Sequence, residues 1–118
     1  RKLSDFKKPV LLVFGASGCP HCVTEKKVLL AQYSSWQKTN KNIEVVYISL
    51  DTDKPAYNAA FKNTPWQNYC DYKGWDTQAA KDYLVNGTPT YVLLDKDLKI
   101  LVHPNSIAHA TVWVNTRL

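Results

Sequence analysis

The most pronounced pattern along the chain is an uninterrupted apolar run, Val10-Leu-Leu-Val-Phe14, between a polar lead-in (Arg1 to Lys8) and the break Gly15-Ala-Ser-Gly18. Such a run predicts a strand buried on both faces of a sheet. After the break, Cys22, Leu29, Tyr33 and Trp36 recur at spacings of seven, four and three, which is one face of a helix ending near Asn40 to Asn42. Pro20 suits the first position of that helix, where its missing N–H is not needed. Ile43 to Leu50 is rich in β-branched residues and predicts a second strand. Two buried-type strands flanking a helix form a βαβ unit, hence parallel pairing with a right-handed crossover.

Asp51 to Pro55 opens a second helix through about Asn63, with Asp53 as its cap and Pro55 in its first turn. Thr64 to Trp75 reads as irregular and aromatic-rich; its Trp66, Tyr69, Tyr72 and Trp75 are expected to pack rather than bind. Asp76 to Val85 predicts a short helix capped by Asp76 and closed at Asn86-Gly87 in the manner of a left-handed C-cap. Thr90 to Leu94 and Leu98 to Val102, joined by Asp95-Lys-Asp97, form an antiparallel hairpin. Ser106 to Thr116 completes the chain as an amphipathic helix capped by Asn105 or Ser106. The order β-α-β-α-α-β-β-α predicts an α/β mixed central sheet flanked by helices on both faces.

With 118 residues, residues 1–118 are expected to form a single domain, and 45% hydrophobic content is ample for a packed core. The longest apolar run is too short to span a bilayer, and no signal peptide is visible. A net charge of +5 raises the question of nucleic acid, but the lysines are scattered among acids, so no nucleic-acid partner is expected. Three cysteines are too few for a disulfide scaffold, and no second pair is present for a structural zinc site. Cys70, the odd one, reads as a small hydrophobe or unpaired thiol.

The count favours redox work at Cys19-Pro20-His21-Cys22. Placed between a buried strand and a helix, Cys19 sits where unpaired N–H groups and the helix dipole stabilise a thiolate. That makes it the nucleophile, with Cys22, one turn inside, as the resolving thiol. Pro20 and His21 tune the pair: a charged or hydrogen-bonding His21 favours the thiolate and so a stronger oxidant. Glu25, on the same face as Cys22, suits proton exchange with the Cys22 thiol if it is buried; exposed, it only complements the dipole. Thr88-Pro89 opens a strand directly after the Asn-Gly stop. A cis bond there would bring the loop against the cysteines and offer the Thr88 backbone to an extended substrate; a trans proline would only open a strand. Other classes stay in view. One is a soft-metal carrier holding Cu(I) with Cys19, Cys22 and His21 or His103; another is a binding module with a structural disulfide.

The chain resembles the thioredoxin-like proteins of the TlpA/ResA group. The resemblance rests on Leu3 to Phe14, Cys19-Pro-His-Cys-Val-Thr-Glu25, Pro65-Trp66, Lys73-Gly-Trp-Asp76 and Gly87 to Asp97. It implies a thioredoxin-like fold with an inserted helical segment between its two halves. It also implies thiol–disulfide exchange with protein thiols and disulfides, fed by an upstream electron donor or acceptor. The expected setting is extracytoplasmic (bacterial periplasm or cell envelope), in a monomer with no cofactor beyond its own disulfide and no metal. Active-site cysteines fall on Cys19 and Cys22, the buried acid on Glu25, and the cis-proline on Pro89 after Thr88. Reductase or isomerase work is favoured over DsbA-like oxidation, although the Cys-Pro-His-Cys tetrad is similar to that of the oxidant. Val13 replaces the buried aspartate of thioredoxin, Gly18 the usual tryptophan, and Leu98 a usual turn glycine. The family's N-terminal hairpin and membrane signal are missing, which implies a trimmed domain whose membrane link would be an N-terminal anchor.

Overall fold

The computed structural model describes residues 6–118, so Arg1 to Asp5 of the predicted lead-in lie outside it. The chain runs β1 (Val10–Gly15), α1 (Pro20–Lys38), β2 (Glu44–Ser49), α2 (Lys54–Phe61), β3 (Gln67–Tyr69), α3 (Gln78–Asp82), β4 (Thr90–Leu94), β5 (Ile100–Val102) and α4 (Ile107–Arg117). Five strands form one sheet in the order β3-β2-β1-β4-β5. β1 pairs parallel to β2 and antiparallel to β4, so the sheet is mixed, as expected.

β1 is central because nothing in it tolerates water: each of its residues is buried. Alternation divides it between two cores. Leu11 and Val13 face a cluster with Leu29, Tyr33 and Trp36 of α1, Phe61 of α2 and Ile107, Ala110 and Val114 of α4. Val10, Leu12 and Phe14 face the opposite side, where Phe6, Ala79 and Tyr83 pack. The helical face expected from Cys22, Leu29, Tyr33 and Trp36 is the buried face of α1. Asp53 caps α2 through the Ala56 N–H, and Ser106 caps α4 through the His109 N–H, each at its expected place. No helix among the described residues is long and apolar enough to cross a membrane.

Several sequence expectations change. Phe6, within the polar lead-in, is buried. The stretch from Thr64 to Trp75 contains β3, which pairs parallel to β2 through Val46, Tyr47 and Ile48. β3 went unseen because an edge strand needs only its neighbour's peptide groups, and Gln67 and Asn68 show no apolar alternation. Trp66 is buried against Tyr33 and Tyr47, but Trp75 is 54% exposed and does not pack as expected. Thr77, not Asp76, precedes α3, because Asp76 lies in a 3-10 turn, Gly74–Asp76. The C-terminal hairpin strand is shorter than expected, and Leu98 takes φ +66°, the left-handed conformation glycine favours in such turns.

α3 also ends earlier than Asn86-Gly87. Leu84 takes φ +55°, with Val85 N–H bonded to Ala80 O and Leu84 N–H to Lys81 O, a Schellman closure built on a leucine. A left-handed L-residue costs about 1–2 kcal/mol, and Leu84, 85% exposed, recovers little through burial. Leu84→Gly is therefore expected to raise stability by about 0.5–1 kcal/mol after the extra unfolded-chain entropy of glycine is subtracted. Urea unfolding checks it; an unchanged or lower midpoint counts against the closure.

Candidate active site

At its C-terminal end β1 stops at Gly15, where the Tyr47 hydroxyl occupies the space a Cβ would need. A turn follows, closed by Cys19 N–H donating to Ala16 O at 3.3 Å. Cys19 is the N-cap of α1 in extended conformation (φ −94°, ψ 109°), and its Sγ accepts the Cys22 N–H at 3.1 Å. Sulfur thus stands where an N-cap oxygen ordinarily accepts the first free N–H groups of a helix. The first turn of α1 contains no acid, so no carboxylate of that turn opposes negative charge on this sulfur. Pro20, the first residue of α1, lacks the N–H that would otherwise be unpaired there.

Cys19 and Cys22 form a disulfide with their Cα atoms 5.1 Å apart. Their exposure differs: Cys19 is half-buried and Cys22 only 2% exposed. The Thr88–Pro89 peptide is cis, and the Thr88 carbonyl oxygen lies 3.8 Å from Cys19 Sγ, where a reduced thiol would donate. His21 is exposed, and no Cβ at Gly18 would meet any atom within 4 Å, so both open the rim to solvent.

Behind the disulfide is a narrow crevice whose walls include Cys22, Glu25, Lys26, Tyr47, Pro89 and Tyr91. Val13, where thioredoxin has an aspartate, forms part of its floor and is 2% exposed. Glu25 is half-buried and lies beyond the first turn, so it is not merely a dipole-complementing surface acid. Its Oε1 accepts the Ile107 N–H at 2.9 Å and the Tyr91 hydroxyl at 3.2 Å, so the carboxylate also closes the N-terminus of α4. Burial, followed by the Glu25 charge, holds the Tyr91 phenol well above its ordinary range. Burial likewise raises Tyr47, and Tyr33 is pushed up to about 12 by burial and then by Glu44. Lys26 donates to Ala60 O at 2.7 Å and lies over the Phe61 ring, and burial lowers its ammonium.

In the sequence Asp51 reads only as part of the approach to α2. It is 8% exposed, and its carboxylate accepts from the Ser17 N–H, the Ser17 hydroxyl at 2.6 Å and the Ser49 hydroxyl at 2.5 Å. The available signal was its position: an acid directly after a buried strand, at the sheet end where the cysteines emerge. Cys70 is a free, half-buried thiol 3.4 Å from Asp51 O. Among the described residues, no group of three or more His, Cys, Asp or Glu is placed to hold a metal, so neither His21 nor His103 completes a three-ligand set with the cysteines.

A strand-end dithiol on a helix N-terminus defines the class, a thiol–disulfide redox protein. Residues 7–100 match the family described as thioredoxin-like, and the chain belongs to it. Its fold is thioredoxin-like, and the family match supports a thiol–disulfide redox role for this domain at the general level. A thiol-disulfide oxidoreductase from Bacteroides fragilis is 33% identical with a TM-score of 0.77, over 95% of this chain and 82% of that one. The thioredoxin domain of a thiol-disulfide oxidoreductase from Bacteroides vulgatus superposes with a TM-score of 0.84 at 25% identity, over 97% and 82%. Tryparedoxin of Trypanosoma brucei brucei is 29% identical over 80% of this chain and 66% of its own length. Human nucleoredoxin is 24% identical over 80% of this chain, which spans only 22% of that protein.

Two outcomes are expected. Glu25→Ala should lower stability by about 1–3 kcal/mol, since it frees the Ile107 N–H and the Tyr91 hydroxyl. Glu25→Gln, whose amide oxygen still accepts both, should lose less than half as much in the same denaturant titration. In alkali the raised phenols set the sign. Tyr33 keeps its proton in the folded state but loses it near pH 10 when unfolded. Its contribution is therefore complete below pH 10 and is lost as pH rises towards about 12. Tyrosinate absorbance for Tyr33, Tyr47 and Tyr91 should appear together with unfolding, not before it.

Proposed function

We propose that this chain is a TlpA/ResA-like reductase or isomerase of protein disulfides in an extracytoplasmic compartment, with residues 1–118 working as one monomeric unit. The observation that carries the reading is the Cys19 sulfur at the N-cap of α1, accepting the Cys22 N–H and facing the Thr88 carbonyl. The 33% identity to the Bacteroides fragilis oxidoreductase supports it, as does the 29% identity to a solved thiol:disulfide interchange protein DsbE from Chlorobium tepidum (TM-score 0.71).

Cys19, as thiolate, attacks one sulfur of a client disulfide; a mixed disulfide forms and the other client sulfur leaves as thiolate. Cys22 then loses its proton and attacks the Cys19 sulfur, releasing the second client thiolate and closing Cys19–Cys22. The client gains two electrons, the pair loses two, and an upstream dithiol restores them. Glu25 is the proton acceptor for Cys22: both of its hydrogen bonds fall on Oε1, leaving Oε2 for the proton. Thr88, beside the cis Pro89, lends its backbone to an extended client segment. Exposed His21 and the open rim at Gly18 leave room for clients of different shape.

Cys22→Ser is expected to accumulate mixed disulfides through Cys19, and Cys19→Ser none; equal trapping by both variants counts against the order of attack. The potential of the Cys19–Cys22 couple, measured in dithiothreitol buffers, is expected nearer thioredoxin's, about −270 mV, than DsbA's, about −120 mV. A value at the upper end turns the reading to a dithiol oxidant. A couple that does not cycle removes the enzyme reading.

A further inference from the structure

The turn between β1 and α1 carries the attacking sulfur, yet its own sequence, Ala16-Ser17-Gly18, has little to hold it. Gly18 is exposed and has no side chain, and Ala16 offers only a methyl group. The turn is closed internally by Cys19 N–H on Ala16 O, which sets its shape but not its orientation against the sheet. Orientation comes from Ser17. Its N–H lies 3.2 and 3.1 Å from the two carboxylate oxygens of Asp51, and its hydroxyl donates to Oδ1 at 2.6 Å. Asp51 is held in turn at the end of β2: its Oδ2 accepts from the Ser49 hydroxyl, and its own N–H donates back to Ser49 Oγ at 2.9 Å. These are charge-assisted bonds at a buried carboxylate, about twice as strong as neutral ones. Leu50 N–H on Gly15 O at 2.8 Å joins the same two segments just below.

We propose that Asp51 is a positioning residue for disulfide exchange: through Ser17 it holds Cys19 over the N-terminus of α1, where its thiolate accepts the Cys22 N–H. The inference rests on the reading of Cys19 as the attacking thiol. Only Gly18 separates Ser17 from Cys19, so a turn released from Asp51 can swing the sulfur off the helix axis. The sulfur then loses both the N–H donor and the dipole, and its pKa rises. The negative charge of Asp51 acts the other way, since an anion near the site disfavours a thiolate. Its influence extends to Lys26 and Tyr47, both of which line the crevice beside Cys22. Clasp and charge therefore predict opposite shifts when the carboxylate is changed, and the clasp is the stronger of the two.

The test measures the Cys19 pKa from the pH dependence of alkylation in the reduced protein, beside the rate of exchange with a model disulfide and the urea midpoint. Asp51→Ala and Ser17→Ala are each expected to raise the Cys19 pKa, Asp51→Ala by about one unit. That lowers the thiolate fraction about tenfold below the pKa. The greater nucleophilicity of a more basic thiolate returns part of this, for a net loss in rate of about three- to fourfold. Asp51→Asn keeps an oxygen for Ser17 and removes the charge, so its Cys19 pKa should stay at or below that of the unsubstituted protein, with the rate retained. If alanine variants that remain folded leave the pKa unmoved, or if asparagine raises it as alanine does, the inference is overturned. Should Asp51→Ala fail to fold, Ser17→Ala decides by the same criterion. An unsubstituted protein whose cysteines do not cycle would instead fail the functional reading, which the same assay reports separately.

Discussion

A strand with no polar residue has to be paired along both edges and covered on both faces, and β1 imposes that requirement on the rest of the molecule. Its peptide groups are taken up by β2 on one side and β4 on the other. Its alternating side chains call for helices on both faces, supplied by α1, α2 and α4 against one and by α3 with Phe6 against the other. Once β1 is central, its C-terminal end must emerge in the middle of the sheet edge. The next residues then necessarily lie between the ends of β2 and β4. Cys19, Asp51 and Thr88 meet for this reason.

The site uses two carboxylates held by different means. Glu25 projects from α1 and receives donors from β4 and the start of α4, so one group joins three elements behind the disulfide. Asp51 projects from the end of β2 and receives donors from the turn in front of it. Neither has an arginine or lysine ion pair within the described residues; neutral N–H and O–H groups do the holding. An acid satisfied in that way stays put without a direct ion pair, although the charge of Asp51 reaches Lys26 in the crevice. The thiol chemistry is thus shaped mainly by the helix N-terminus.

Legibility followed the reach of each interaction. The helix face of Cys22, Leu29, Tyr33 and Trp36 was visible because it is a local periodicity, and the caps at Asp53 and Ser106 because a cap reads only three residues ahead. β3 was not, since its hydrogen bonds come from β2 and leave no trace in Gln67-Asn68-Tyr69. The end of α3 was misplaced because Asn86-Gly87 is the better local stop, while the packing of Ala79, Tyr83 and Val85 against the sheet closed the helix at Leu84 instead. Local preference lost there to burial.

The sequence by itself determined that the sheet is mixed, the caps at Asp53 and Ser106, and the pairing of Cys19 with Cys22 at a strand-to-helix junction. Each of these is written in apolar spacing or in residues a few positions apart. Only the tertiary structure decided that Glu25 closes α4, that Tyr47 needs a glycine at position 15, and that Asp51 holds the turn carrying Cys19. Those contacts join residues 32 to 82 positions apart. No propensity or spacing encodes them, because they come into being only when the sheet brings its strand ends side by side.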